Sequence, residues 1–142
     1  MKTSARNQYA GAIRSVESGP VTTEVSIEIA GGHVLAATLT TSSAKRMNLH
    51  PGQQALVLIK ASSVVLVTDA DGYVLSARNQ LAGTVSRVDR GAVSTVVRLA
   101  LPGGEEVTCT VTNDAVDDLK LRTGQAATAI FKAYQVFVAV KA

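Results

Sequence analysis

The sequence predicts an all-β chain of two tandem five-stranded barrels, and three observations favour this fold class. The 142 residues repeat at an offset of 72, because Ser-Ala-Arg-Asn-Gln occurs at 4–8 and again at 76–80 and the remainder aligns without a gap. Each half alternates β-branched and polar residues between glycine-rich turns. The composition, 46% hydrophobic and 18% charged, is close to the average of globular proteins. Two small domains are therefore expected where length alone suggests one.

Each repeat contains five candidate strands. In the first repeat they are expected near residues 8–18, 21–30, 33–40, 54–60 and 63–68. The stretch 21–29 shows the alternation of a strand most clearly. The pair Gly31-Gly32, repeated as Gly103-Gly104, predicts a two-residue hairpin after the second strand.

A short helix is predicted between the third and fourth strands. Residues 41–48 begin with hydroxyl side chains that can cap a helix and continue with helix formers. Five strands with a helix in this place is the order of an OB-type barrel. The expected boundaries are 1–68 for the first repeat, 69–75 for a linker and 76–142 for the second repeat.

Each repeat is small for an independent domain, since about 65 residues is near the lower limit for a sufficient core. The single cysteine, Cys109, cannot form an internal disulfide and is predicted to be a buried apolar residue on a strand. Neither a disulfide nor a metal motif compensates for the small core. Association with other copies is therefore expected.

The polar residues shared by both repeats are rich in hydrogen-bond donors. In the first repeat they are Ser4, Arg6, Asn7, Gln8, Thr23, Thr38, Thr40, Gln53 and Lys60. They include no carboxylate, histidine or cysteine, so the usual groups for acid–base catalysis, nucleophilic catalysis and transition-metal ligation are missing. No glycine-rich nucleotide loop is present either. We expect no enzyme activity, no catalytic cofactor and no metal cation.

A set of hydrogen-bond donors that contains no carboxylate is suited to binding an anion. Arginine and lysine supply charge, and hydroxyls supply directional hydrogen bonds that strengthen when the partner is ionised. A fully deprotonated tetrahedral dianion needs donors only, whereas phosphate near neutral pH keeps a proton that needs an acceptor. A purely structural role for Ser-Ala-Arg-Asn-Gln at the start of a strand stays open at this point.

At these residues the sequence resembles the molybdate-binding Mop domain, in the tandem arrangement of the molbindins. The resemblance rests on the two Ser-Ala-Arg-Asn-Gln segments, the Gly-x-Val-[Ser/Thr]-Thr segments at 19–23 and 91–95, Thr40 and Thr112 at the starts of the short helices, and Lys-Ala at 60–61 and 132–133. It implies OB-like barrels and a cytoplasmic store of molybdate or tungstate. It also implies a homotrimer with sites between domains of neighbouring chains.

The resemblance assigns binding residues by position. The first class of site would use Ser4, Ala5, Arg6, Asn7, Thr40, Ser43, Lys60 and Ala61. The second class would use Ser76, Ala77, Arg78, Asn79, Thr112, Lys132 and Ala133. Because Ala115 stands where the first repeat has Ser43, the two classes are expected to differ in affinity.

Two alternatives belong to other classes of protein. An OB module for single-stranded nucleic acid would need aromatic platforms and basic residues along its groove. The chain has two Phe, three Tyr, no Trp and a net charge of only +3, and no aromatic residue recurs in both repeats, so nucleic acid is not expected as a partner. A ligand-free β assembly would show the same periodicity and stays open.

The cellular location is expected to be the cytoplasm. No stretch approaches the roughly 20 apolar residues of a membrane span, and the first residues lack the apolar core of a signal peptide. No membrane partner is therefore expected. Since the repeats fill the chain, we also expect neither the DNA-binding helix-turn-helix nor the transport ATPase that other Mop proteins carry.

Overall fold

The computed structural model describes residues 1–142 and consists of ten strands and two short helices. The first repeat forms β1 (Asn7–Ser18), β2 (Thr22–Ile29), β3 (Val34–Thr40), α1 (Thr41–Arg46), β4 (Gln54–Ile59) and β5 (Val65–Val67). The second forms β6 (Asn79–Arg90), β7 (Ser94–Ala100), β8 (Glu106–Thr112), α2 (Asn113–Leu119), β9 (Ala126–Phe131) and β10 (Val136–Ala139). The predicted all-β class, with five strands per repeat and a helix between the third and fourth, is confirmed. No helix has both the length and the apolar character that a membrane crossing requires.

The last strand of each repeat joins the sheet of the other repeat. One antiparallel sheet has the order β10-β4-β1-β2-β3, and the other has the order β5-β9-β6-β7-β8. The chain accordingly divides into a first unit, Met1–Ile59 with Lys132–Ala142, and a second unit, Lys60–Phe131. These units differ from the repeat boundaries 1–68, 69–75 and 76–142. They differ because β10 pairs with β4 and β5 pairs with β9, so that each repeat's last strand belongs to the sheet of the other repeat.

The core of each unit is built from the inward-facing positions of its strands. In β2, for example, Thr23, Val25, Ile27 and Ile29 are buried and the residues between them are not. Alternation of this kind places one face of every strand in an apolar interior. Cys109 on β8 is fully buried in the second unit, which confirms its predicted role as a small apolar residue.

The hairpin between β2 and β3 is longer than predicted. The backbone hydrogen bond that closes it runs from Ile29 N to His33 O, so the loop has three residues, Ala30–Gly32. Gly31 and Gly32 both have positive φ, at 82° and 78°, which explains why this turn contains two glycines. The residue added to the predicted loop is Ala30, which precedes the glycines.

Candidate functional site

The two Ser-Ala-Arg-Asn-Gln segments lead into β1 and β6 with the same exposure pattern. Ser4 and Arg6 are exposed, whereas Asn7, the first residue of β1, is 2% exposed. In the second unit Ser76 and Arg78 are exposed, and Asn79 is buried to the same extent. Ala5 and Ala77 are half-buried in the middle of each segment. Serine and arginine are therefore accessible to a ligand, while asparagine belongs to the barrel.

Asn7 connects the start of β1 to the end of β4. Its Nδ2 donates a hydrogen bond to the carbonyl oxygen of Ile59 at 3.3 Å, and its Oδ1 accepts one from the hydroxyl of Tyr9 at 3.2 Å. Gln8 Nε2 also donates to the carbonyl of Ala5 at 3.0 Å. The segment that carries Arg6 is thus held on both sides. Sequence reasoning did not identify Tyr9 as part of this arrangement.

The start of each short helix presents hydroxyl groups. Thr40 Oγ1 accepts from the backbone N–H of Ser43 at 3.1 Å and donates to Ser43 Oγ at 2.9 Å. Because the proton of Thr40 is used in this way, the hydroxyl proton that can reach an anion is that of Ser43. In the second unit Thr112 Oγ1 accepts from the N–H of Ala115 at 3.1 Å, and an alanine offers no hydroxyl to receive the proton of Thr112. The donor therefore lies on a different residue in each unit.

The two Lys-Ala pairs lie where the chain passes between the units. Lys60 directly follows β4 and Lys132 directly follows β9, and each is the first residue after the division. Both lysines are exposed, and the alanines after them are each 5% exposed. Each pair leads into a 3-10 turn, Ala61–Ser63 or Ala133–Gln135.

Each of these turns packs against the third strand of the other repeat, which aligning the two repeats does not reveal. The turn Ala133–Gln135 contacts β3 of the first unit, the strand that ends at Thr40. The turn Ala61–Ser63 contacts β8 of the second unit, the strand that ends at Thr112. The resemblance groups Thr40 with Ala61, whereas the contacts bring Ala133 to the strand of Thr40. The exchange of the last strands is the cause.

The candidate residues divide between the units as follows. The first unit holds Ser4, Ala5, Arg6, Asn7, Thr40, Ser43, Lys132 and Ala133. The second unit holds Lys60, Ala61, Ser76, Ala77, Arg78, Asn79 and Thr112. Hydrogen bonding joins Thr40 to Ser43, and packing joins the Ala133 turn to β3, whereas Ser4 and Arg6 are exposed ahead of β1.

Several polar residues shared by the repeats have structural roles. Thr23 is fully buried, and its hydroxyl bonds to Thr41 Oγ1 at 2.9 Å and donates to Ser18 Oγ at 3.1 Å. In the second unit Thr95 donates to Asn113 Oδ1 at 2.7 Å. These bonds hold the start of each helix against the neighbouring strands. The strand alternation that places Thr23 on the same face as Val25 is the signal that could have identified it as internal.

The glutamine shared by both repeats closes the loop that precedes β4 in the first unit and β9 in the second. Gln53 Oε1 accepts from the N–H of His50 at 3.1 Å, and Gln125 Oε1 accepts from the N–H of Arg122 at the same distance. Both glutamines therefore close the loop between helix and strand.

Charge pairing elsewhere involves other arginines. Arg90 and Asp117 form a two-bond ion pair at 2.8 and 3.2 Å, which lowers the pKa of Asp117 and raises that of Arg90 through hydrogen bonding and charge. Arg14 pairs with Glu28 at 3.5 Å. Nowhere do three His, Cys, Asp or Glu side chains lie together as a metal ion would require. The exposed Ser, Arg and Lys side chains among the candidate residues are hydrogen-bond donors.

Comparisons with known proteins show which family the chain belongs to. The TOBE domain family matches residues 3–66 and again 75–138. The molybdenum transport protein ModE of Herbaspirillum seropedicae is 60% identical over 99% of this chain and 52% of its own length. The molybdenum-pterin-binding protein MopA of Rhodobacter capsulatus is 39% identical over 99% of the chain and 53% of its own length. The chain thus spans about half the length of the curated relatives it matches.

A solved structure matches from end to end. A crystal structure of the cytoplasmic molybdate-binding protein ModG, with molybdate bound, superposes with a TM-score of 0.96 at 45% identity and covers 99% of this chain and 100% of that chain. The resemblance to tandem Mop proteins is confirmed by these matches. The chain belongs to the TOBE domain family and carries two copies of the domain in tandem.

Proposed function

We propose that this chain binds molybdate or tungstate as an oxyanion and acts as a cytoplasmic store or buffer in molybdenum homeostasis. The observation that carries the proposal is the likeness over 99% of the chain to ModG, a cytoplasmic protein solved with molybdate bound. In this proposal the chain is not an enzyme, and molybdate is its cargo.

The donor set in each unit supports this ligand. In the first unit Ser4, Arg6, Ser43 and Lys132 offer charge or a hydroxyl proton, and none of them is acidic. Hydrogen bonds from charged donors to an anion are stronger than neutral ones. A tetrahedral dianion that needs donors only is therefore a suitable ligand for this set.

The same chemistry favours some anions over others. Molybdate and tungstate are fully deprotonated near neutral pH and can accept from every donor in the set. Phosphate keeps a proton, which would meet cations and hydroxyls rather than a carboxylate. We therefore include discrimination against phosphate in the proposed function.

The proposed assembly is a homotrimer with sites between repeats of neighbouring chains. Val65 on β5 is 56% exposed and Phe137, its counterpart on β10, is 65% exposed. Large apolar residues exposed at matching places in both units suit contact with another copy. Burial against another copy would also add to cores that are small on their own.

Equilibrium dialysis against molybdate tests the binding, and light scattering on the same sample tests the assembly. We expect saturable uptake by a particle of three chains. Absence of uptake by the folded chain would overturn the proposal. Retention on single-stranded DNA that weakens with salt would instead favour the nucleic-acid alternative.

A further inference from the structure

The two units carry different net charges, although their candidate binding residues are matched in charge. The first unit has seven Lys or Arg against three Asp or Glu, which gives a net charge of +4. The second unit has seven Lys or Arg against eight Asp or Glu, which gives −1. Each unit holds one arginine and one lysine of the candidate set, Arg6 with Lys132 and Arg78 with Lys60. The difference therefore lies outside the residues assigned to the anion.

More than half of this difference comes from the segment between the third and fourth strands of each repeat. In the first repeat, residues 41–53 contain Lys45 and Arg46 and no acidic residue, so their net charge is +2. In the second repeat, residues 113–125 contain three Asp, one Lys and one Arg, so their net charge is −1. The two segments thus differ by three charges at equal length.

The sign of the charge is reversed at equivalent positions of the two short helices. Asp117 and Asp118 of α2 stand where α1 has Lys45 and Arg46, and all four side chains are exposed. Arg90 pairs with Asp117 at 2.8 Å and compensates part of the negative charge of α2. No acidic residue lies in α1, so its positive charge has no such compensation within the helix.

Each helix begins at a candidate binding residue. The hydroxyl oxygen of Thr40 caps α1, and that of Thr112 caps α2. Helices of six and seven residues are only about 10 Å long. Charges at the far end therefore act over roughly 12 Å on an anion held at the capped end, a distance that exceeds the screening length of about 8 Å at physiological salt but not the 30 Å at about 0.01 M.

We propose that ionic strength controls how the oxyanion is divided between the two classes of site, because the charge of α1 attracts it to the class with Arg6 and the charge of α2 repels it from the class with Arg78. The inference rests on the proposed function. Three charges acting on a dianion should change the ratio of the two affinities roughly ten-fold at about 0.01 M salt and about two-fold at about 0.15 M. A difference in hydroxyl donors alone would not depend on salt in this way.

The test measures molybdate affinity at both concentrations of potassium chloride in variants that keep one class of site. In Arg78→Ala, where the Arg6 class remains, Lys45→Gln combined with Arg46→Gln should weaken binding roughly five-fold at about 0.01 M salt and less than about two-fold at about 0.15 M. The matched control, Lys45→Arg combined with Arg46→Lys, changes both side chains and keeps both charges. Its affinity should equal that of the parent.

The acidic helix is tested in the other background. In Arg6→Ala, where the Arg78 class remains, Asp117→Asn combined with Asp118→Asn should strengthen binding roughly five-fold at about 0.01 M salt. The double glutamine substitution in α1 should leave this class unchanged. The two helices are therefore expected to act in opposite directions, each on its own class.

Thermal melting of each variant separates a charge effect from a loss of stability. The substituted side chains are exposed, so we expect nearly unchanged melting temperatures. An equal change in both backgrounds, no change at low salt, a change of the same size at both salt concentrations, or loss of affinity in the charge-preserving control would overturn the inference. No uptake by the wild-type chain would overturn the proposed function itself, a result distinct from uptake that ignores the charges of the helices.

Discussion

Val136 pairs with Ile59 in the antiparallel ladder between β10 and β4, although the two residues belong to different repeats. Its counterpart at the matching position of the first repeat, Val64, lies in the second unit. Both valines are buried, at 6% and 3% exposure. Each repeat therefore completes the core of the other, and neither repeat contains all of the strands of its own unit.

Because the last strand of each repeat joins the sheet of the other repeat, a substitution in one repeat should destabilise the fourth strand of the other. Val136→Asp removes buried apolar surface and places a carboxyl group in the core, which should cost at least about 2 kcal/mol of unfolding free energy. Because Val136 belongs to the first unit, amide hydrogen exchange should accelerate in β4. Val64→Asp is the matched control and should accelerate exchange in β9. Acceleration confined to β9 in Val136→Asp would contradict the exchanged topology.

The close approach of the neighbouring strand to Gly11 predicts that any side chain at this position lowers the stability of the protein. A Cβ atom added there would overlap the carbonyl oxygen of Glu28 on the neighbouring strand. Gly11→Ala should therefore lower the unfolding free energy by about 1–3 kcal/mol, as expected for an overpacked site. Urea unfolding measures it, with the exposed Ala10→Ser on the same strand as control. Equal stability of Gly11→Ala and the wild type would show that the strands separate more easily than this packing implies.

The buried thiol predicts a loss of stability at alkaline pH. Burial raises the pKa of Cys109 from 9.0 to about 12. The unfolded chain releases this proton first, so the thiol's contribution to stability is full below about pH 9 and is lost as pH rises toward 12. The loss should approach but not exceed about 1.4 kcal/mol per pH unit.

Cys109→Ala provides the comparison for that measurement, since Ala37 is fully buried at the matching position of the first unit. Unfolding free energies measured from about pH 8 to about pH 11 should fall more steeply in the wild type than in Cys109→Ala. Parallel slopes would mean that the thiol does not resist ionisation in the folded chain.

The donor set predicts anion selectivity. Molybdate and tungstate should compete with each other for the same sites, sulfate should compete more weakly, and phosphate hardly at all. The reason is that Arg6 and Lys132 can only donate, and the donor set holds no carboxylate to accept the proton that phosphate keeps. Competition dialysis with labelled molybdate measures this order. Displacement by equimolar phosphate at neutral pH would contradict it.

The local features of the fold follow from the sequence, because each depends on neighbouring residues. Strand alternation and turn glycines place β1 to β4 within a residue or two of their predicted bounds, and the residue that caps α1 is Thr40, directly before the hydroxyl residues that the sequence offers as caps. The partner of β10 does not follow in this way. Val64, directly before β5, and Val136, at the start of β10, occupy equivalent positions in similar segments, so periodicity cannot tell which sheet each segment completes.

The candidate site likewise contains residues that the sequence could identify and contacts that it could not. Shared Ser, Arg and Lys residues could be identified by comparing the repeats, and they are exposed in the structure. The hydrogen bond from Tyr9 to Asn7 and the one from the Thr40 hydroxyl to Ser43 Oγ depend on distances that no spacing encodes. Thr23 shows the opposite case, because a residue shared by both repeats proved to be internal.

Bound molybdenum per chain in Arg6→Ala, Arg78→Ala and the double variant tests the central claim most directly. Elemental analysis after desalting measures it, on variants first shown to be folded and of native size. Each single substitution should empty one class of site, because losing a charged donor from a desolvated anion should cost about 2–5 kcal/mol. The double variant should retain little molybdenum. Full uptake by the folded double variant would contradict the account and show that the Ser-Ala-Arg-Asn-Gln segments serve only the fold.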